Sequence, residues 1–186
     1  MSVEPQPKSS EIKRFTAKDG RTVLLRRIRW EDLDDLVELI NSLIEETAYI
    51  ILNAKVTRDQ ETDWLARYLP DIEKGKRIGV AAEVDGRVVG NSEVTLKSGA
   101  QSHVGELGII IKSGYRDVGI GGEMIRVLVE ESRKKGLKLL VLRLFAENDR
   151  ARHVYEKIGF KEVGRVPKAL SRSGEYSDEA MMALEL

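Results

Sequence analysis

One stretch of the chain, residues 106–155, restricts the possible folds more than any other. An apolar run, Leu107–Ile111, is followed by a glycine-rich turn, Arg116–Gly122, and then by an amphipathic segment, Glu123–Lys135. The apolar run predicts a buried strand, and the amphipathic segment predicts a helix because its apolar residues recur at helical spacing. The stretch therefore predicts a strand that leads into a helix through a turn rich in backbone amides.

A turn of this kind is suited to a phosphate group. The first turn of a helix has backbone N–H groups without intrahelical partners, and the helix dipole adds partial positive charge there. Glycines let a ligand come close to these amides, because no Cβ intervenes. The turn lacks the Gly-Lys-Ser or Gly-Lys-Thr of a P-loop, and Met124 replaces the last glycine of a Gly-x-Gly-x-x-Gly dinucleotide motif. The turn therefore predicts phosphate or pyrophosphate binding of another kind.

The rest of the chain predicts further strands and helices around this stretch. Strands are predicted, from apolar or alternating runs between turn signals, at residues 12–16, 22–28, 77–84, 87–96, 103–111, 138–145, 161–166 and 175–186. Helices are predicted, from helical spacing and capping patterns, at residues 31–47, 57–69, 119–135 and 149–158. Residues 168–174 are polar and predict a loop. This order indicates a mixed sheet with helices on its faces.

Composition narrows the function classes. The 186 residues suit one domain of ordinary size, so we expect a disordered tail at 1–11 and a single domain at 12–186. Net charge is zero, which argues against nucleic-acid binding, and no apolar run is long enough for a membrane span. The chain has no cysteine and two histidines, so we expect no metal site. The polar first residues predict a cytoplasmic protein, and high charge with few amides is a thermophile-like composition.

The glycine turn and the residues after it resemble the GCN5-related N-acetyltransferases (GNAT superfamily). That family has Arg/Gln-x-x-Gly-x-Gly/Ala at this junction, and the chain has Arg116, Gly119 and Gly121 at the matching positions. The family's second motif is matched after a strand-like run by Asn148, Ala151, Tyr155, Gly159 and Phe160. Two positions depart from the pattern: Asp117 replaces an uncharged residue and Val118 a frequent basic one. The turn is therefore less positive than is usual in the family.

The resemblance implies a fold and a cofactor. The fold is α/β (α+β), with a GNAT-type mixed, splayed central β-sheet of six to seven strands flanked by about four helices. The implied cofactor is acetyl-CoA, bound in a V-shaped gap between the strand ending near Ile111 and the strand ending near Phe145. The residues that would bind it are Ile109, Ile110, Ile111, Arg116, Asp117, Val118, Gly119, Ile120, Gly121, Gly122, Asn148 and Tyr155.

The resemblance also implies an acetyl transfer with named catalytic groups. Tyr155 is the expected acid beside the CoA sulfur, since the family has a tyrosine at this place. Glu106 is the expected base, because some relatives have a glutamate at this strand position. Glu83, Glu93 and a water molecule remain alternatives for the base.

The expected acceptor is a primary amine on a small molecule, an amino acid, a protein N-terminus or a lysine, attacked directly in a ternary complex. By resemblance, Tyr49, Trp64 and Tyr176 are candidates for the wall of the acceptor site, and the protein is a possible homodimer. A non-catalytic acyl-CoA-binding regulatory module on the same fold is the alternative function.

Overall fold

The computed structural model describes residues 11–172 and 174–186. The predicted disordered tail lies outside these residues, apart from Glu11, which begins the first strand. The described strands are β1 (Glu11–Thr16), β2 (Thr22–Arg26), β3 (Arg77–Val84), β4 (Arg87–Leu96), β5 (Val104–Ile111), β6 (Leu139–Phe145), β7 (Lys161–Arg172) and β8 (Glu175–Glu185). The described helices are α1 (Leu33–Glu45), α2 (Arg58–Glu73), α3 (Ile120–Lys134) and α4 (Asp149–Ile158).

All eight strands form one sheet in the order β1-β2-β3-β4-β5-β6-β8-β7. Every neighbouring pair is antiparallel except β5 and β6, which are parallel. This mixed sheet with four helices confirms the predicted fold class. Its eight strands exceed the six to seven implied by the family resemblance and equal the number that the residue pattern predicts.

The sheet opens between its two parallel strands. Only residues Val104–Glu106 of β5 pair with β6, and their partners are Leu139–Val141. Each strand continues beyond this pairing for several residues. β5 remains paired with β4 up to Ile111, and β6 remains paired with β8 up to Phe145. The edge of β5 that faces β6 is therefore free beyond Glu106, which confirms the predicted V-shaped gap.

The two faces of the sheet have separate cores. Successive residues of a strand point to opposite faces, so Leu107 and Ile109 pack with the buried side of α3. Ile110 packs instead with the buried residues of α1 and α2. The gap between β5 and β6 therefore lies between two differently built halves of the domain.

The last hairpin differs from the sequence-based prediction of a loop at 168–174. β7 continues to Arg172 and pairs again with β8 from Leu170 onward, after a shift of register that follows Val166. Lys168 lies within this shift and has a left-handed φ of 54°. The polar composition predicted a loop because strands are usually half-buried, whereas this part of β7 is held by backbone pairing and stays largely exposed.

A buried ion network fixes α1 to the edge of the sheet. Arg26 on β2 is 1% exposed and makes two hydrogen bonds to Asp32 at the start of α1, at 2.7 and 2.8 Å. Its Nε also donates to Glu83 on β3 at 2.6 Å. Three elements thus share one guanidinium group, and the carboxylate of Glu83 is engaged away from the gap.

We predict that Arg26→Met destabilises the protein by about 3–5 kcal/mol, because it leaves the buried Asp32 carboxylate without its cation. The free energy of unfolding in urea measures this loss. The matched control is Arg14→Met, which removes an exposed pair with Glu11 and should leave the stability nearly unchanged. Equal losses in the two variants would contradict this role for Arg26.

Candidate functional site

A cleft of about 1490 Å³ occupies the gap between β5 and β6 and reaches both faces of the sheet. On one face, which we name the α3–α4 arm, it is lined by Ile109, Ile111, Arg116–Gly119, Gly121, Gly122, Asn148 and Tyr155. On the other face, which we name the α1–α2 arm, it is lined by Leu36, Glu61, Trp64, Asn91, Glu93 and Gly108. The two arms meet along the free edge of β5.

The structure brings the sequence-predicted cofactor residues together along this cleft. Of the twelve, only Ile120 does not line it, because its side chain is buried in the core. The backbone N–H of Ile120 nevertheless belongs to the first turn of α3, where amides lack intrahelical partners. Contact of these residues with acetyl-CoA stays a prediction.

Two glycines of the turn are required for different reasons. Gly119 precedes α3 with a φ of 97°, a conformation that strains any residue with a Cβ. At Gly121 an added Cβ would lie 2.9 Å from Cδ1 of Ile111. Gly119 therefore makes the turn and Gly121 lets α3 approach β5, so that the amides of the helix end lie at the gap.

Arg116 joins the turn to its surroundings. Its Nε donates to the carbonyl oxygen of Ile111 at 2.8 Å, and its guanidinium group pairs with Glu46 just after α1. Arg116 and Glu46 both line the cleft, so their ion pair holds a cation beside the turn.

The charge of Asp117 is offset by a residue distant in sequence. Arg150 on α4 donates from Nε to Asp117 at 2.9 Å, and this hydrogen bond lowers the pKa of the Asp117 carboxyl below its usual range. The negative charge that the sequence places in the turn is thus paired with a cation in the folded chain.

We predict that Arg150→Gln weakens acetyl-CoA binding about fivefold at low salt, since it leaves Asp117 unpaired beside the expected pyrophosphate. Two unit charges a few Å apart in water interact by roughly 1 kcal/mol, which gives this factor. The dissociation constant from calorimetry checks it. The double variant Asp117→Asn/Arg150→Gln should restore wild-type binding, whereas a double variant as weak as the single one would contradict the offset.

Asn148 and Tyr155 lie two turns apart on one face of α4. Asn148 caps the helix, because its Oδ1 accepts from the N–H of Ala151 at 3.2 Å. Tyr155 is 7% exposed, and burial raises the pKa of its hydroxyl to about 12. The Tyr155 hydroxyl therefore stays protonated and can donate a hydrogen bond at any ordinary pH.

The candidate bases have different positions. Glu106 is outside the lining of the cleft and pairs with Lys97, with Arg143 3.8 Å away. Glu83 is bound to Arg26. Glu93 lines the cleft; one of its carboxylate oxygens accepts from Arg77, and the other, Oε2, is buried with no hydrogen-bond partner among the described residues. The base role of Glu106 stays a prediction.

Sequence reasoning missed Glu61. Its side chain is 3% exposed in the α1–α2 arm, its Oε1 has no hydrogen-bond partner within residues 11–172 and 174–186, and burial raises the pKa of its carboxyl to about 7. The available signal was its position, four residues before Leu65 and seven before Tyr68 on the buried face of α2. A carboxylate on an apolar helix face is uncommon without a partner.

Two of the three residues predicted for the wall of the acceptor site line the cleft. Tyr49 and Trp64 line the cleft, whereas Tyr176 does not and is 72% exposed. The end of the β7–β8 hairpin meets the connector between α1 and α2: the guanidinium carbon of Arg172 lies 4.2 Å from the ring centroid of Tyr49. The connector and the hairpin thus form one wall.

Comparison with known proteins identifies the family. A family model described as "Acetyltransferase (GNAT) domain" matches residues 22–161, most of the chain. The chain belongs to the GNAT acetyltransferase family. This membership confirms the predicted N-acetyltransferase activity, with acetyl-CoA as the cosubstrate.

Individual relatives are similar over different lengths. The L-amino acid N-acetyltransferase AaaT of Escherichia coli (strain K12) is 31% identical over 106 residues, which are 56% of this chain and 65% of AaaT. The L-amino acid N-acyltransferase MnaT of the same strain is 24% identical over 169 residues, which are 87% of this chain and 93% of MnaT. The structure of a ribosomal-protein-alanine N-acetyltransferase from Brucella melitensis has a TM-score of 0.79 at 25% identity, covering 88% of this chain and 99% of that one.

The described residues offer neither a membrane-spanning helix nor a cluster of metal ligands. None of the described helices has the length and hydropathy needed to cross a membrane. Within residues 11–172 and 174–186, no three histidine, aspartate or glutamate side chains are grouped so that they could hold a metal ion.

We predict that Glu61→Gln stabilises the protein at pH 8 and not at pH 4. Because the folded-state pKa of about 7 exceeds the ordinary 4.5, folding favours the protonated carboxyl, and wild-type stability falls as pH rises between these values. The shift corresponds to roughly 3 kcal/mol, which glutamine would not lose. Urea unfolding of both proteins across this range measures the difference. Glu73→Gln, at an exposed position of the same helix, is the control, and a difference independent of pH would contradict the assignment.

Proposed function

We propose that this protein transfers the acetyl group of acetyl-CoA to the amino group of an L-amino acid or a similar small primary amine. One observation carries the proposal: a single cleft joins the amide-rich turn at α3 to a second arm lined by carboxylates, through the free edge of β5. The chain has no cysteine, so no thiol of the protein can carry the acetyl group, and direct attack in a ternary complex needs no such carrier.

In this proposal the α3–α4 arm holds the donor. The pyrophosphate accepts hydrogen bonds from the amides of residues 118–122 at the N-terminus of α3, with Arg116 beside it. The pantetheine arm pairs with the unpaired backbone of Leu107–Ile111 as an added strand would. The acetyl group then lies where the two arms of the cleft meet.

The chemistry needs a neutral amine and a stabilised leaving group. The amine lone pair attacks the thioester carbonyl, the tetrahedral oxyanion accepts a hydrogen bond from a strand N–H, and the carbon–sulfur bond then breaks. The CoA thiolate takes the proton of the Tyr155 hydroxyl and is released as the thiol, and the tyrosine regains a proton from the nitrogen that has attacked. The proton that the ammonium group loses before the attack is taken by a base of the protein.

Two observations support an amino acid as acceptor. The relatives AaaT and MnaT are named as acting on L-amino acids, and MnaT is matched over 93% of its length. The α1–α2 arm presents the carboxylates of Glu61 and Glu93 beside apolar side chains. A non-catalytic acyl-CoA-binding module would use only the α3–α4 arm and would leave these buried carboxylates without a purpose.

The test is release of CoA from acetyl-CoA in the presence of each common L-amino acid and of a peptide with a free N-terminal alanine. Because the protein has no cysteine, a thiol reagent reports only the CoA that is released. We expect release that depends on an amino acid, with the acetylated product detected by mass spectrometry. A folded protein that binds acetyl-CoA and acetylates no amine above background would support the non-catalytic alternative.

We predict that Tyr155→Phe lowers kcat by about 100-fold and leaves the dissociation constant of acetyl-CoA within twofold. Loss of one donor at a developing charge commonly costs about this factor. Steady-state kinetics and calorimetry separate the two quantities. Tyr176→Phe, at an exposed position outside the cleft, is the control and should change neither. An unchanged kcat in Tyr155→Phe would remove the tyrosine from the reaction.

A further inference from the structure

Three buried side-chain oxygens in the α1–α2 arm have no hydrogen-bond partner among the described residues. They are Oε1 of Glu61, Oδ1 of Asn91 and Oε2 of Glu93. Glu61 is 3% exposed and Asn91 is 8% exposed, so neither group is well hydrated. A buried acceptor without a donor costs free energy in the empty protein, and a ligand that supplies donors recovers it.

The sheet register places two of these oxygens on one face. Asn91 and Glu93 are two residues apart on β4, so their side chains project from the same side of the sheet. Glu93 pairs with Gly108 on β5, and Asn91 pairs with Ile110. Both side chains therefore stand directly beside the strand whose other edge is free.

The third oxygen reaches this place from α2. Tyr68 fixes the helix over β3, since a Cβ at Gly79 would lie 1.7 Å from the Tyr68 hydroxyl oxygen, and Gly79 pairs with Glu93. Glu61 lies on the same helix face as Tyr68, seven residues and about 10 Å toward the helix start. Because α2 leads through residues 74–76 into the start of β3, the helix and the strand run in opposite directions, and this offset carries Glu61 toward the row of paired residues that contains Asn91 and Ile110. All three residues line the same cleft.

Open space lies beside these oxygens. A Cβ at Gly108 would meet no atom within 4 Å, although Gly108 is in the middle of the sheet and opposite Glu93. Leu36 and Ile40 of α1 and Trp64 of α2 also line the arm. The space thus has an acceptor-rich end and an apolar wall.

We propose that Glu61, Asn91 and Glu93 form the binding site for the ammonium group of the acceptor, and that Glu61 takes its proton. An ammonium group has three N–H donors and no acceptor, which matches three unpaired oxygens. The apolar wall then fits the side chain of an apolar L-amino acid. This inference rests on the proposed function and names the substrate class and the base within it.

In the proposed reaction the acceptor first loses a proton to the protein. The Glu61 carboxylate removes one proton from the ammonium group, which gives a carboxylic acid and a neutral amine whose lone pair attacks the thioester. After the attack the nitrogen loses its second proton, which reaches the CoA sulfur by way of the Tyr155 hydroxyl, and the proton on Glu61 leaves to solvent. The products are the amide, the CoA thiol and one released proton. Burial disfavours both charged groups, so moving the proton from the ammonium group to Glu61 is less unfavourable here than between the same groups in water.

The charged groups near Glu61 in the arm are one ion pair, formed by Glu93 and Arg77. The residues that line the arm from α1, Leu36 and Ile40, do not titrate, and neither do Trp64 of α2 and Ile110 of β5. From β4 come Asn91 and Glu93, and the carboxylate of Glu93 is paired with Arg77 of β3. Desolvation is the cause of the raised pKa of Glu61, so an arriving cation should reverse it.

The first experiment measures binding without turnover. Calorimetry of the complex with CoA, which has no acetyl group to transfer, is done at pH 6 with L-leucine, L-methionine and L-phenylalanine and with the 2-hydroxy acid of each side chain. We expect at least one amino acid to bind more than tenfold tighter than its hydroxy acid. Binding should release about 0.9 proton, measured in buffers of different ionisation enthalpy, because a carboxyl of pKa about 7 is mostly protonated at pH 6 and ionises beside the cation. In Glu61→Gln both the preference and the proton release should disappear, and in Glu73→Gln both should remain.

The second experiment measures the pH dependence of kcat/KM for the acceptor. The wild type should lose rate below an inflection near pH 7, and Glu61→Gln should lose at least 100-fold at pH 8 together with this inflection. A Glu61→Gln enzyme within threefold of the wild type, with the inflection intact, would overturn the proposal.

The two proposals fail in different ways. If amine binding is linked to proton release but no amine is acetylated, the ammonium site is supported and the proposed function is overturned. Acetylation without proton release, or equal binding of amino and hydroxy acids, would overturn the ammonium site alone.

Discussion

The limited pairing of β5 with β6 is the constraint on which the rest of the structure depends. Three residue pairs join the strands, and beyond Glu106 each strand satisfies its backbone only on its other edge. The free N–H and C=O groups of Leu107–Ile111 are unfavourable unless water or a ligand pairs with them. Because side chains alternate along β5, the same short segment contributes to both cores while its backbone borders the gap. A sheet closed at this point would have no cleft and no meeting of the two arms.

The two arms of the cleft carry charged groups of opposite sign, although the net charge of the chain is zero. In the α3–α4 arm, free amides and the cation of Arg116 lie where the phosphates are proposed to bind, and Arg150 offsets the charge of Asp117. In the α1–α2 arm, buried carboxylates lie among apolar side chains. The arrangement suits an anionic donor and a cationic acceptor that approach the acetyl group from opposite faces of one sheet. The net charge of a whole chain is therefore a poor guide to the charge of its sites.

The sequence predicts the parts of the site that depend on short-range pattern. The turn around Gly119 and the cap at Asn148 are local features, so the residues themselves reveal them. The ion pair of Arg150 joins residues 33 positions apart, and the burial of Glu61 depends on how a helix packs on a distant strand. The pairing of Glu106 with Lys97 likewise exists only in the folded sheet. Long-range contacts of this kind cannot be read from a single sequence. The sequence therefore leaves Glu83 and Glu93 as alternatives to Glu106 for the base, and the helical spacing of Glu61 does not by itself identify that residue.

The end of the long β7–β8 hairpin lies apart from the glycine turn, so its sequence can vary independently of that turn. Its end meets the α1–α2 connector through Arg172 and Tyr49, and through a hydrogen bond of 3.4 Å from Asn53 to the carbonyl of Ser171. Tyr49 of the connector and Leu170 of β7 line the cleft, so these contacts support one of its walls, and they involve none of the residues of the glycine turn. Insertions, deletions or exchanges at the hairpin end can therefore alter the shape of that wall while the donor machinery stays intact. The hairpin is a modular element through which evolution or engineering can diversify the acceptor.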